Sequence, residues 1–236
     1  MSLPMAILAG GLATRLGSVA EHVPKILVDV AGRPFAEHQL ELLRRAGVSR
    51  VVYCVGHLGD RVAAALGDGT VWGMRFEYVP DGPTLAGTGG ALRRALPRLG
   101  PAFFVMYGDS YLECDFGSVE AAFHERRQPG LMTVFRNDDR FDRSNVEFDA
   151  GRIVRYDKVR RDAAMRHIDY GLGILTPEAF GPWLDEAGPF DLAVVYQALI
   201  DRHALAGYEV MSRFYETGSP EGLRETRALL EARATG

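Results

Sequence analysis

The sequence predicts an α/β protein with a mixed, mostly parallel central sheet flanked by helices, and three observations carry that prediction. Short apolar runs at Met5–Ala9, Arg50–Val55, Arg75–Val79 and Ala102–Tyr107 are separated by stretches with helical apolar spacing. Strands that alternate with helices assemble into parallel sheets through right-handed crossovers. From Leu131 onward the runs lie closer together, which adds strands of the hairpin type. With 236 residues, 47% hydrophobic and 25% charged, the chain fits one large domain with a first half over 1–128 and a second over 129–236.

Each element follows from local pattern. Met5–Ala9 is apolar throughout, short enough for a buried strand, and stopped by Gly10-Gly11. Ile26–Val30 reads as a short strand or extended segment, and Pro34 is well placed to open a helix to Ala46, with Ala36, Leu40 and Leu43 on one face. Arg44, Arg45 and Gly47 close that helix. A strand at Arg50–Val55, a helix at Leu58–Leu66 and a strand at Arg75–Val79 come next. Ligands of such sheets bind at the carboxyl ends of strands, so Gly10, Gly56 and Asp81 are expected on one edge. Residues 81–92 form a glycine-rich turn feeding a helix, and the strand Ala102–Tyr107 ends at Gly108-Asp109-Ser110. A helix is expected over Phe116–Arg126, then strands at Leu131–Phe135, Asn145–Asp149, Arg152–Tyr156 and Ile168–Leu175, the middle two as a hairpin. Asp191 suits the N-cap of a helix over Leu192–Arg202. Tyr208–Tyr215 reads as the last strand, and Ser219-Pro220 opens a final helix to about Arg233.

Composition excludes several classes. A net charge of −4 gives no attraction to nucleic acid or to a membrane surface, so a polyanionic ligand must meet a local cluster of cations. Cys54 and Cys114 have no metal-type spacing and form no disulfide framework, which fits a reducing cytoplasm. The apolar start lacks a cationic leader segment and is interrupted by Gly10-Gly11, and no run approaches the ~20 apolar residues of a membrane span. Of 27 basic residues only Lys25 and Lys158 are lysine. An ammonium is a compact charge with three rotatable donors, and a crowded phosphate site can require it where a planar guanidinium does not fit.

The run Leu8-Ala9-Gly10-Gly11-Leu12-Ala13-Thr14-Arg15-Leu16, followed by Pro24-Lys25, is a strand ending in a loop suited to phosphate. Residues without Cβ let backbone N–H groups approach a ligand, and Arg15 and Lys25 add charge. The spacing of Gly10, Gly11 and Gly17 is not the dinucleotide fingerprint, and no lysine follows a glycine as in a P-loop. Asp109, at the carboxyl end of an apolar strand, is placed to hold Mg²⁺, which takes one or two carboxylates plus substrate phosphates.

With Ala13 in place of the usual glycine, this run resembles the signature loop of the sugar-1-phosphate nucleotidyltransferases. Gly87-Thr88-Gly89-Gly90 is similar to the family's second glycine-rich motif, Tyr156-Asp157-Lys158 to its acidic-Lys pair, and Glu216-Thr217-Gly218-Ser219-Pro220 to a run that carries Asp in the first place. Phe141-Asp142-Arg143 resembles the heptose-1-phosphate guanylyltransferase branch. The resemblance implies a Rossmann-like nucleotidyltransferase fold. It implies that Leu8, Ala9, Gly10, Gly11, Asp81, Gly87, Thr88 and Gly89 bind the nucleotide, the first half being the nucleotide half. It implies that Arg15 binds the leaving pyrophosphate, Lys25 the α-phosphate and Lys158 the acceptor phosphate. Asp157, Asp169 and Gly171 stand on the sugar side, and Asp109 and Glu216 are the implied Mg²⁺ ligands. The implied reaction joins an NTP to a sugar 1-phosphate, with GTP and a heptose or mannose 1-phosphate first and UTP with an amino-sugar or muramate derivative second. A nucleotide-sugar-binding regulatory subunit is the alternative of another class. A glycosyltransferase would call for an Asp-x-Asp motif, to which Glu113-Cys114-Asp115 is the nearest approach. Oligomeric state stays open, a homo-oligomer included.

Overall fold

Met5–Ala9 forms β1 and lies inside the main sheet, where its successive side chains are covered on both faces. The computed structural model describes residues 3–11, 23–186 and 188–234. After β1 a 3-10 turn at Lys25–Leu27 leads into a small ribbon, β2 (Asp29–Val30) with β3 (Arg33–Pro34). Then come α1 (Phe35–Arg45), β4 (Arg50–Val55), α2 (Gly59–Leu66), β5 (Arg75–Pro80), α3 (Gly87–Leu99), β6 (Phe103–Tyr107), β7 (Ser110–Leu112) and α4 (Phe116–Arg126). The second half supplies β8 (Gly130–Arg136), β9 (Val146–Asp149), β10 (Arg152–Tyr156), β11 (His167–Leu175), α5 (Leu192–Asp201), β12 (Leu205–Val210), β13 (Phe214–Glu216) and α6 (Pro220–Ala234).

Among the described residues nine strands form one sheet in the order β5-β4-β1-β6-β11-β8-β12-β10-β9. The first four are mutually parallel. β11 runs against both β6 and β8, β12 is parallel to β8, and β10 returns as the expected hairpin with β9. The sheet is therefore mixed with a parallel half, as the strand spacing predicts.

Helices cover both faces. Met5 and Ile7 share a buried cluster with Leu40 and Leu43 of α1, Val62 of α2 and Phe116 of α4. Ala6 and Leu8, pointing the other way, share theirs with Leu92 and Ala95 of α3 and Val195 and Leu199 of α5. Burial of each such leucine contributes on the order of 2 kcal/mol. Among the described residues no helix is long and apolar enough to cross a membrane.

The C-terminal part differs from expectation. The single strand expected at Tyr208–Tyr215 is two: β12 stops at Val210, Met211 turns out to solvent at 85% exposure, and β13 leaves the main sheet to pair antiparallel with β7. No Gly or Pro marks this break, and the local signal is only the loss of alternation at Val210-Met211-Ser212-Arg213. Tertiary contacts make it. The Arg213 guanidinium lies 3.8 Å from the Phe141 ring centre and 4.3 Å from that of Tyr215, and it also bonds Glu225 of α6.

Candidate active site

β1, β4 and β6 end side by side at Gly10, Gly56 and Gly108, and Asp81 joins them through its N–H on Val55 O at 2.9 Å. This is the expected edge. A cavity of about 200 Å³ opens there, lined by Leu8, Ala9, Gly10, Gly11, Lys25, Asp81, Gly87, Thr88 and Asp109. Ile26, Leu85, Ala91, Tyr107 and Gly108 complete its wall.

Lys25 and Asp109, 84 residues apart, form an ion pair at the cavity. Glu216 approaches the same point. A Cβ on Gly218 would lie 2.5 Å from Lys25 Nζ and 2.7 Å from both Asp109 Oδ2 and Glu216 Oε2, so the three charged groups converge on the space that this glycine leaves open. The extra methylene of Glu216 folds its carboxylate back over the start of α6. There Oε2 accepts from the N–H groups of Gly218 and Ser219, the latter at 3.0 Å, and Oε1 accepts from Ser219 Oγ. Thr217 closes the arrangement by donating its N–H to Asp109 O at 2.8 Å. Among the described residues no group of three or more His, Cys, Asp or Glu side chains gathers as a metal centre. Two neighbouring carboxylates at the end of a cavity of about 200 Å³ fit a cation completed by substrate oxygens, which is how Mg²⁺ is commonly held.

Asp81 is 5% exposed and faces the cavity. Its Oδ2 accepts from Ala86 N at 3.2 Å, while its buried Oδ1 has no partner among the described residues. Burial pushes this carboxyl above the usual carboxylate range, partly offset by the Ala86 amide and by Arg94.

The second glycine-rich run has a structural reason of its own. Phe190 O accepts from the N–H groups of Gly89 and Gly90 at 2.9 and 3.3 Å, Phe190 N donates to Ala86 O, and Leu192 N donates to Thr88 Oγ1 at 2.8 Å. The amides of Gly89 and Gly90 are thus taken by Phe190 O, and Gly87 and Thr88, not Gly89, line the cavity. A Cβ on Gly87 would fall 2.5 Å from Phe190 O, and one on Gly89 would overlap the Phe190 ring. Gly89→Ala is expected to cost about 1–3 kcal/mol through overpacking, read as a fall of several degrees in Tm; an unchanged melt would show that this contact yields freely.

On the other side, Lys158 does not line the cavity. Its Nζ reaches Asp191 Oδ1 at 3.3 Å, and Asp191 sits between the Phe190 and Leu192 that clamp Gly87–Gly90. It is therefore tied to the same side of the molecule as the cavity wall. Asp157 turns into its own loop, where Oδ1 accepts from Val159 N and Arg160 N at 2.8 Å each. Both oxygens of Asp169 are engaged within the protein, by Tyr156 Oη at 3.2 Å and Gly171 N at 3.0 Å. Gly171, at φ +95° in an irregular part of β11, lies against Tyr107 and Ser110.

Burial also raises the Asp169 carboxyl, with the Gly171 amide and Lys158 acting against it. A carboxyl raised on folding contributes stability that is complete below its unfolded pKa of about 3.9 and is lost as pH rises through the folded value. Asp169→Asn is accordingly expected to raise Tm at pH 7 to 8, with the gap closing as pH falls. Melts across pH 4 to 8 check this, and a pH-independent gap would refute it.

Arg15 and Ala13 lie outside the described residues. Tyr107, Gly218 and Asp191 were not singled out for the site from sequence. Gly218 stands within the quoted Glu216–Pro220 run, but only the fold shows what its missing side chain leaves free.

A model of the MobA-like NTP transferase domain matches residues 5–217. N-acetylmuramate alpha-1-phosphate uridylyltransferase of Neisseria meningitidis is 37% identical over 111 residues, 47% of this chain, and the aligned part spans only 48% of that relative's length. D-glycero-alpha-D-manno-heptose 1-phosphate guanylyltransferase of Campylobacter jejuni is 26% identical over 174 residues, 74% of this chain and 76% of the relative. The solved structure of HddC from Yersinia pseudotuberculosis complexed with GMP-PN shares the fold, with a TM-score of 0.80 at 22% identity over 97% of this chain and 99% of that one.

Proposed function

We propose, from the premise that this chain belongs to the MobA-like NTP transferase domain family, that it joins an NTP to a sugar 1-phosphate, giving an NDP-sugar and pyrophosphate. The observation that carries this reading is the convergence of Lys25, Asp109 and Glu216 on the open space beside Gly218, at one end of a cavity walled by two glycine-rich segments. Residues 1–128 would hold the nucleotide and 129–236 the sugar phosphate. Such an enzyme works where NTPs are abundant, in the cytoplasm.

The acceptor phosphate is already an anion, so the reaction needs positioning and charge neutralisation more than a base. An acceptor oxygen attacks the α-phosphorus in line, and pyrophosphate leaves from the opposite side without a covalent enzyme intermediate. Lys25 neutralises the α-phosphate, Lys158 holds the acceptor phosphate once that phosphate replaces Asp191 as its partner, and Arg15 takes the leaving pyrophosphate. Asp109 and Glu216 would hold Mg²⁺, which supplies charge stabilisation to the phosphate oxygens when bound. Asp169 and Gly171 shape the acceptor wall beside Tyr107, and the Asp157 turn sets the loop on which Lys158 rides.

The base is read from Asp81. Asp81 lines the cavity, and a carboxylate offers acceptors alone, which favours a base edge rich in N–H donors. Guanine presents N1–H and N2–H together, whereas uracil presents one N–H between two carbonyls. GTP is therefore the proposed donor substrate, with a heptose or mannose 1-phosphate as acceptor.

Pyrophosphate release with Mg²⁺, four NTPs and a panel of sugar 1-phosphates tests the whole reading. GTP is expected to be preferred, and Asp81→Asn to lower its kcat/KM by about tenfold or more, the cost of disturbing one buried polar contact. Preference for UTP, as in the uridylyltransferase relative, would overturn the base assignment alone. Silence across the panel together with tight NDP-sugar binding would favour a regulatory binding protein.

A further inference from the structure

Gln39 has no place in the proposed mechanism, yet it reaches the turn that carries Asp109. It lies on α1 at 1% exposure, beside the core residues Leu40 and Leu43. Its Nε2 donates to Ser110 O at 2.7 Å and to Tyr107 O at 3.4 Å, the carbonyls on either side of Gly108-Asp109. Its Oε1 is buried with no partner among the described residues.

A half-satisfied buried amide is a poor way to stabilise a helix, because the unmet acceptor costs about as much as a made hydrogen bond contributes. An apolar side chain of similar length would fill the space without that cost. What the amide does provide is location. Gly108 N donates to Leu8 O at 2.9 Å from β1, Gln39 holds the two flanking carbonyls from α1, and Thr217 donates to the carbonyl of Asp109 itself, through N at 2.8 Å and Oγ1 at 3.4 Å. The turn is thus tied to three separate elements, and the Asp109 side chain projects from a fixed base toward Glu216.

We infer that Gln39 and Thr217 are positioning residues that fix the Asp109 carboxylate for cation binding. This rests on the metal-dependent reading of the site given above. Supporting groups behind a metal ligand typically govern affinity by 10- to 100-fold, on the order expected here.

The test is the affinity of the nucleotide-loaded protein for Mn²⁺, followed by electron paramagnetic resonance, with Tm measured in parallel. Gln39→Met keeps length and removes both donors; its Mn²⁺ Kd is expected to rise about tenfold or more. Thr217→Val keeps shape and the backbone bond while removing the hydroxyl, and is expected to move Kd the same way by a smaller factor. It decides the matter if Gln39→Met does not fold. A lowered Tm with wild-type Mn²⁺ affinity in either variant would reduce that residue to a structural role and overturn its assignment. Asp109→Asn is the control: if it binds Mn²⁺ like wild type, the metal reading of the site has failed, independently of Gln39.

Discussion

Asp109→Asn is expected to lower kcat by on the order of 10²- to 10³-fold at saturating NTP, acceptor and metal. The substitution preserves size and removes one negative charge from a point where Lys25 Nζ, Asp109 Oδ2 and Glu216 Oε2 converge beside Gly218 with no room for a Cβ. Two effects then act together. On the proposed reading the cation loses its shorter-armed ligand, and Lys25 loses the counter-charge that holds its ammonium at the cavity. Steady-state kinetics with pyrophosphate detection measures the loss. Near-normal turnover with intact folding would remove Asp109 from the chemistry.

Gly218→Ala is expected to cost about 10²-fold in kcat/KM, because a displacement of about 1 Å at reacting groups is enough for that. The backbone does not oppose the change, since Gly218 lacks the positive φ seen at Gly82 or Gly87. The penalty is spatial: the new methyl would sit 2.5 Å from Lys25 Nζ and 2.7 Å from each carboxylate. Kinetics should therefore suffer far more than Tm. Wild-type activity in this variant would show that the three groups do not work across this gap.

Much of this site is legible from the chain. Gly10 and Asp109 each stand just past a strand end that hydrophobic pattern alone locates, and a parallel sheet brings such ends to one edge, whereas Lys25 opens a 3-10 turn where the pattern of Ile26–Val30 suggests a strand. Glu216 follows from the order of motifs. Other features depend on contacts that no local pattern encodes. Gly87–Gly90 reads as a ligand loop, whereas part of its glycine requirement comes from Phe190, about a hundred residues later. The expected strand Tyr208–Tyr215 breaks at Met211, where Arg213 lies between Phe141 and Tyr215, a contact with a residue some seventy positions earlier in the chain. Gln39 sits in an ordinary amphipathic helix, and its hydrogen bonds span 68 and 71 residues of sequence.

The pairing of β7 with β13 bears on how the molecule matures during synthesis. A nascent chain that has emerged through Val210 already possesses every strand of the nine-stranded sheet, yet it lacks Glu216, and the link from Thr217 to Asp109 must span 108 residues. That span is close to the one between Met5 and Phe104, which pair inside the sheet, so it is the order of synthesis and not loop closure that puts this link last. Catalytic competence should then appear only after the scaffold has consolidated, so that a ribosome-stalled intermediate would be folded and inert.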